Sequence, residues 1–190
     1  MRLILASASP RRLDLLARIG VEPDAVIPAD VDEDVPEGEL PRAHALRLAR
    51  EKAEAVAATA PDALVLAADT VVAVGRRILP KVEDEATLRR CMNLLSGRRH
   101  RVLTGVALAV PGHGLRVRLV ETMIAMKRLS ETEIDYYESH GEWRGKAGGY
   151  ALQGYGEVYV RHIAGSYSNV VGLPLAETRV LLKSAGYELA

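Results

Sequence analysis

The chain has 190 residues and no phenylalanine; seven Tyr and one Trp are its only large aromatics, 4% of the total. Apolar residues nevertheless make up 48%, so the core has to be aliphatic, built from Ala, Val, Leu and Ile. The same scarcity leaves few stacking platforms for single-stranded nucleic acid. Lys plus Arg is 25 and Asp plus Glu is 25, for a formal net charge of zero. That balance argues against a partner that is a nucleic-acid polymer or a membrane surface, and leaves room for a local basic pocket. A chain of this length builds one domain, 1–190, with a real core, or two small lobes sharing a cleft. Cys91 is the only cysteine, so neither an intrachain disulfide nor a cysteine-based zinc cage is available. It reads as a small core residue on a helix. No apolar run approaches the ~20 residues that span a bilayer. The apolar start, Leu3 to Ala6, ends in an arginine-bearing turn and reads as a first strand rather than a signal peptide. A cytoplasmic location is the expectation.

Apolar runs alternate with amphipathic stretches along the chain, which predicts an α/β fold. Strands are expected at 2–6, 26–27, 63–67, 71–74 and 157–162, with a long hairpin from His100 to Lys127 turning at Pro111–Gly114. The hairpin makes a mixed sheet the expectation rather than a parallel one. Helices are predicted from Pro10 to Ile19, with Leu13, Leu16 and Ala17 inward, and from Pro41 to Thr59. Others run from Asp84 to Leu95, from a Ser130/Glu133 capping box to Glu138, and from Pro174 to Ala185. Between 141 and 156 six glycines mark a region of loops and turns.

Four segments carry chemistry. Ser7-Ala8-Ser9-Pro10-Arg11-Arg12 joins the first strand to the first helix. It places unpaired backbone donors, hydroxyls and two guanidiniums at a helix N-terminus, an arrangement suited to an anion. Arginines in a first turn oppose the helix dipole by roughly 0.3–1 kcal/mol each, a penalty that a bound anion offsets. Asp69-Thr70 follows an apolar strand, the position where α/β sheets collect ligands, and Asp69 suits a general base or a metal ligand. The loop from Asp30 to Glu39 holds six carboxylates, and oxygen donors without His or Cys clusters point to Mg²⁺ or Mn²⁺. Lys52 lies on the apolar side of its helix beside Ala49 and Ala53, and Lys81 follows Ile78-Leu79-Pro80; either a snorkelling or a phosphate-facing role accommodates Lys52. Lys146 to Gly154 contains paired glycines that permit close backbone approach. It also contains Gln153, whose amide can read a nucleobase edge.

Together these segments resemble the Maf family of nucleotide pyrophosphatases. The resemblance rests on Leu5-Ala6-Ser7-Ala8-Ser9-Pro10-Arg11-Arg12, Val31-Asp32-Glu33, Arg47-Leu48-Ala49-Arg50-Glu51-Lys52-Ala53, and Ala67-Ala68-Asp69-Thr70-Val71-Val72. It extends through Leu94-Leu95-Ser96-Gly97, Lys146-Ala147-Gly148-Gly149-Tyr150 with Gln153-Gly154, and Gly165-Ser166-Tyr167 with Val170-Val171-Gly172-Leu173-Pro174. It implies an inosine-triphosphatase-like fold: an elongated mixed sheet, helices on both sides, and a cleft between two lobes. It implies metal-dependent (Mg²⁺ or Mn²⁺) hydrolysis of a nucleoside triphosphate to the monophosphate and pyrophosphate. Arg12, Thr70 and Gln153 match the branch acting on dTTP and UTP, with modified pyrimidine nucleotides a further substrate class. Asp69 would be the base and, with Glu33, a metal ligand. Ser7, Ser9, Arg11, Arg12, Lys52 and Lys81 would hold the substrate. The family also suggests a homodimer. The alternative within the family is a nucleotide-binding regulator of septum formation and cell division with little turnover.

Overall fold

The computed structural model describes residues 1–189. Its frame is a mixed sheet in the order β2-β1-β3-β6-β7-β9, where β1 is Leu3–Ala6, β2 Ala25–Val26, β3 Leu64–Val74, β6 Arg99–Val110, β7 Gly114–Met126 and β9 Val160–Ala164. β1 runs parallel to β2 and β3, while β3, β6, β7 and β9 pair antiparallel. A further short strand, β4 (Arg77–Leu79), folds back on β3 by a hairpin through Gly75 and Arg76. A two-stranded ribbon pairs β5 (Lys81–Val82) with β8 (Lys146–Ala147).

Side chains alternate between the faces of a strand, so sequence parity decides what each face buries. On one face Ile4, Val65, Ala67 and Ala107 meet Ala49, Ala53 and Val56 of helix α2 (Pro41–Ala57), and Ala45 meets Val71, Ala73 and Leu103. On the other, Leu3, Leu5, Leu64, Leu66, Val106 and Leu108 meet Leu15 and Leu16 of α1 (Pro10–Ala17) and Leu181 and Leu182 of α6 (Leu175–Ser184). Farther along that second face Val72, Val102 and Ile124 join Leu88 and Met92 of α3 (Glu85–Leu95), Ile134 and Tyr137 of α4 (Glu131–His140) and the buried Trp143. The expected mixed sheet with helices on both sides is what forms. A short helix, α5 (Tyr167–Val171), lies near the junction and contacts β6 and β7.

The alanine face of α2 brings backbone against backbone. A Cβ built on Gly105 of β6 would stand 2.2 Å from the carbonyl oxygen of Ala45, so only glycine allows the helix to settle this low.

Three local expectations shift. Asp69 and Thr70 do not separate two strands; β3 is continuous because β6 pairs with it from Val65 to Ala73. The inward face of α1 carries Leu15 and Leu16, whereas Leu13 and Ala17, expected inward, are exposed, so the buried stripe is narrower than the apolar spacing implies. The strand expected from Glu157 begins at Val160, after a 3₁₀ turn over Tyr155–Tyr159. There the Glu142 carboxylate accepts from the backbone N–H groups of Tyr155 (3.0 Å) and Gly156 (2.8 Å), which holds the turn.

Gly105→Ala is expected to lower unfolding free energy by about 1–3 kcal/mol, the usual cost of overpacking a closed contact. Urea titration of the two proteins measures it.

Candidate active site

The sheet has a gap at one edge. β1 covers β3 from Leu64 to Ala67 and β4 covers it from Val72 to Val74; among the described residues nothing pairs with Ala68–Val71 on that side. A cleft of about 410 Å³ opens at this gap, within the size range of small-molecule sites. Asp69 and Thr70 sit in it as consecutive strand residues, so they point to opposite faces.

Asp69 points toward α2. It is 5% exposed and accepts from Lys52 Nζ at 2.7 Å. Lys52, 7% exposed, comes from the sheet-facing stripe of the helix, and its ammonium also meets Glu33 Oε1 at 2.6 Å. The other oxygen of Glu33 pairs with Lys81, carried on the β5–β8 ribbon across the cleft. Partial burial alone would raise the Glu33 carboxyl; hydrogen bonds and charge from Lys52 and Lys81 outweigh it and hold the group down at about 2. Asp69, Lys52, Glu33 and Lys81 thus form one alternating ionic chain.

Thr70 points the other way. Its hydroxyl lies 2.9 Å from that of Thr104, its partner on β6, and Thr104 donates to the Asn169 carbonyl at 3.0 Å. Arg12 reaches in from α1: Nε donates to the Gly172 carbonyl (2.8 Å), Nη1 to Ser7 Oγ (3.1 Å) and Nη2 to Thr70 Oγ1 (3.4 Å). Ser7 also accepts from the Ser9 amide at 3.1 Å. Ser9 occupies the N-cap of α1 and Pro10 its first position, yet the Ser9 hydroxyl makes no cap bond and no acid stands in the first turn. The helix end therefore keeps its positive character for the cleft, where Ser9, Arg11 and Arg12 all line the wall. Burial pulls the guanidiniums of Arg11 and Arg12 below their ordinary value, a desolvation that an anion would relieve.

The site residues that the resemblance implies all line this cleft: Ser7, Ser9, Arg11, Arg12, Glu33, Lys52, Asp69, Thr70, Lys81 and Gln153; of the six carboxylates between Asp30 and Glu39, only Glu33 does. Lys146, Arg144, Tyr150 and Leu152 also line it without having been assigned a place. Lys146 and Tyr150 stand inside a motif quoted above; Arg144 and Leu152 gave no signal of their own. The Lys146 ammonium is pushed below its usual range by burial and then by the charge of Arg11, so the two cations face the same space. Gly148 and Gly149 serve another purpose than approach to a ligand. With φ of +68° and +74°, added Cβ atoms would stand 2.9 Å from Val72 and from Leu88 and Val82, which lets the loop lie against the core cluster that holds Trp143. Tyr150 follows, its hydroxyl 2.7 Å from Nε2 of the buried His100.

Among the described residues no three His, Cys, Asp or Glu side chains converge as a self-sufficient metal cage. The carboxylates lining the cleft are Glu33 and Asp69. That set fits Mg²⁺ or Mn²⁺, which take one or two carboxylates and complete their shell with substrate phosphate and water. No helix among the described residues is long and apolar enough to cross a membrane.

Residues 2–185 match the family described as Maf-like protein. The chain belongs to the Maf family. This Maf chain is 62% identical over 185 residues to a dTTP/UTP pyrophosphatase of Caulobacter vibrioides, covering 97% of this chain and 96% of that protein. A dTTP/UTP pyrophosphatase of Novosphingobium aromaticivorans is 59% identical over 187 residues, covering 98% and 93%. Among solved structures, a HAM1 protein from Coxiella burnetii superposes with a TM-score of 0.54 at 15% identity, covering 97% of this chain and 100% of that one. The Maf chain therefore shares the Ham1, inosine-triphosphatase-like fold.

His100 gives the Maf chain a defined acid response. Burial lowers its imidazole from 6.5 to about 4, so the unfolded chain binds the proton first. The fold carries no penalty from this group above pH 6.5, loses stability progressively as pH falls from 6.5 to about 4, and loses no more below that. Thermal melts across pH 4 to 7 are expected to show a steeper acid loss for the wild type than for His100→Asn.

Proposed function

We propose that the chain is a divalent-metal-dependent nucleoside triphosphate pyrophosphatase acting on dTTP and UTP. The observation that carries this reading is the meeting, in one cleft, of a helix-end anion site with the Lys52–Asp69 pair. Relatives about 60% identical over nearly the full chain bear the name dTTP/UTP pyrophosphatase.

In this reading Ser7, Ser9, Arg11 and Arg12 receive the triphosphate at the end of β1, and Lys52 and Lys81 neutralise it from the opposite walls. Water attacks the α-phosphorus in line with the departing β-phosphate oxygen. A Pα–O bond to water forms, the Pα–O bond to the β-phosphate breaks, and pyrophosphate leaves. Asp69 takes the water's proton, its carboxylate oriented by the Lys52 ammonium. Glu33 and Asp69 would hold Mg²⁺ or Mn²⁺, which supplies charge neutralisation on the phosphate oxygens and a more acidic water. The cations gathered here stabilise negative charge as it shifts toward the leaving group, the largest contribution expected in phosphoryl chemistry. Thr70 and Gln153 would help select the base, together with Arg12, which reaches from the phosphate site to Thr70. The regulator alternative needs nucleotide binding alone. A buried carboxylate fixed beside a lysine at the anion site favours turnover.

Asp69→Asn is expected to lower kcat by roughly 10²–10⁴, the range for a lost general base, while leaving dTTP binding measurable by calorimetry. A fully active Asp69→Asn protein overturns the assignment. Gln153→Glu is expected to redistribute kcat/KM among dTTP, UTP and 7-methyl-GTP, read from pyrophosphate release with Mg²⁺ or Mn²⁺. An unchanged profile removes Gln153 from base selection.

A further inference from the structure

Glu33 is the outlier among the cleft's ionic groups. Asp69, Lys52 and Lys81 stand on strands or on a helix, but Glu33 belongs to an irregular acidic loop between β2 and α2 that has no regular secondary structure. A loop rich in carboxylates repels itself and has little apolar surface to bury, so something must fix its course. Arg47 does this. Its side chain, from the first half of α2, donates through Nε to Glu39 Oε1 (2.8 Å) and through Nη2 to Glu39 Oε2 (3.0 Å), a bidentate grip on the far end of the loop. The same Nη2 donates to the backbone carbonyl of Asp34 at 3.0 Å, one residue from Glu33. Nη1 leans on Glu51 Oε2 at 3.1 Å, one turn farther along the helix. His44, 4% exposed, adds a contact of 2.6 Å from Nδ1 to Glu39 Oε2.

We infer that Arg47 is a positioning residue: its guanidinium pins the acidic loop to α2 so that the Glu33 carboxylate falls between Lys52 and Lys81. The inference rests on the reading above that Glu33 acts at the site. Only a planar fork holds two carboxylate oxygens and a backbone carbonyl at once. Lys52 lies five positions from Arg47 on α2, so the helix fixes the distance between loop anchor and ammonium.

A double-mutant cycle tests it. kcat/KM for dTTP with Mg²⁺ is measured in wild type, Arg47→Gln, Glu33→Gln and the double variant, with a melting temperature for each. Arg47→Gln is expected to lower kcat/KM roughly 10–100-fold, as losing the partner of a site ligand does. In the Glu33→Gln background it is expected to lower it no further, although the melting temperature drops equally in both backgrounds. Equal activity losses in both backgrounds would mean that Arg47 acts through the general fold, and overturn the inference. So would wild-type activity in Arg47→Gln while Glu33→Gln is impaired. Wild-type activity in Glu33→Gln overturns the role of Glu33 itself and the inference with it, and is told apart by that single variant. Should Arg47→Gln not fold, Glu39→Gln, which releases the other half of the grip, completes the same cycle with the same expected outcomes.

Discussion

A lysine ammonium almost withdrawn from water governs this architecture. Removing such an ion from solvent costs several kcal/mol unless its hydrogens are met by charge. Lys52 is met twice, by Asp69 beneath it and by Glu33 above it. Its position follows from the packing of α2. Ala45, Ala49 and Ala53 let the helix settle on the sheet, and Gly105, the register partner of Asp69, leaves the space for the closest contact. A larger residue at any of these points would lift the ammonium away from the strand. Core packing and site electrostatics are therefore one problem solved by the same small residues.

The second determinant is an interrupted edge. On this edge β3 exchanges a parallel neighbour for an antiparallel one, and among the described residues the stretch in between has none on that side. Ligand sites of open α/β sheets form where the strand order changes and the surface must open. Here the opening receives the end of β1 and the N-terminus of α1 from one side, and the β5–β8 ribbon with Lys81 and Lys146 from the other. Elements on both sides of the opening thus contribute cations to one cavity.

Much of this was legible in the chain. The strand–turn–helix start, the α2 stripe with its inward lysine, the long hairpin and the capping box of α4 all follow from local rules, and the helix bounds differ by a residue or two. The break placed at Asp69-Thr70 was misplaced for a physical reason. Two polar residues in an apolar run read as a turn, whereas the sheet tolerates them where its edge is open and the ion pair with Lys52 and the Thr104 hydroxyl satisfy them. The 3₁₀ turn after Gly154 was hidden because its cap, Glu142, is a side chain distant in sequence. The same applies to Lys146, whose place in the cleft depends on the pairing of β8 with β5, where its register partner is Val82. Among the residues named from sequence, family resemblance grouped those that spacing could not, above all Glu33 and Gln153.

Because Asp69 and Thr70 project to opposite faces of one strand, the cleft wraps around an edge and its two walls belong to different packing layers. The Asp69 wall is tied to α2, and the Thr70 wall to α1, α5 and the carbonyl of Gly172. A change confined to Thr70 therefore leaves the ion pairs of the first wall standing, whereas a change in the turn that opens α1 reaches the phosphate site itself. A one-residue insertion in β3 would exchange the two walls and abolish both at once.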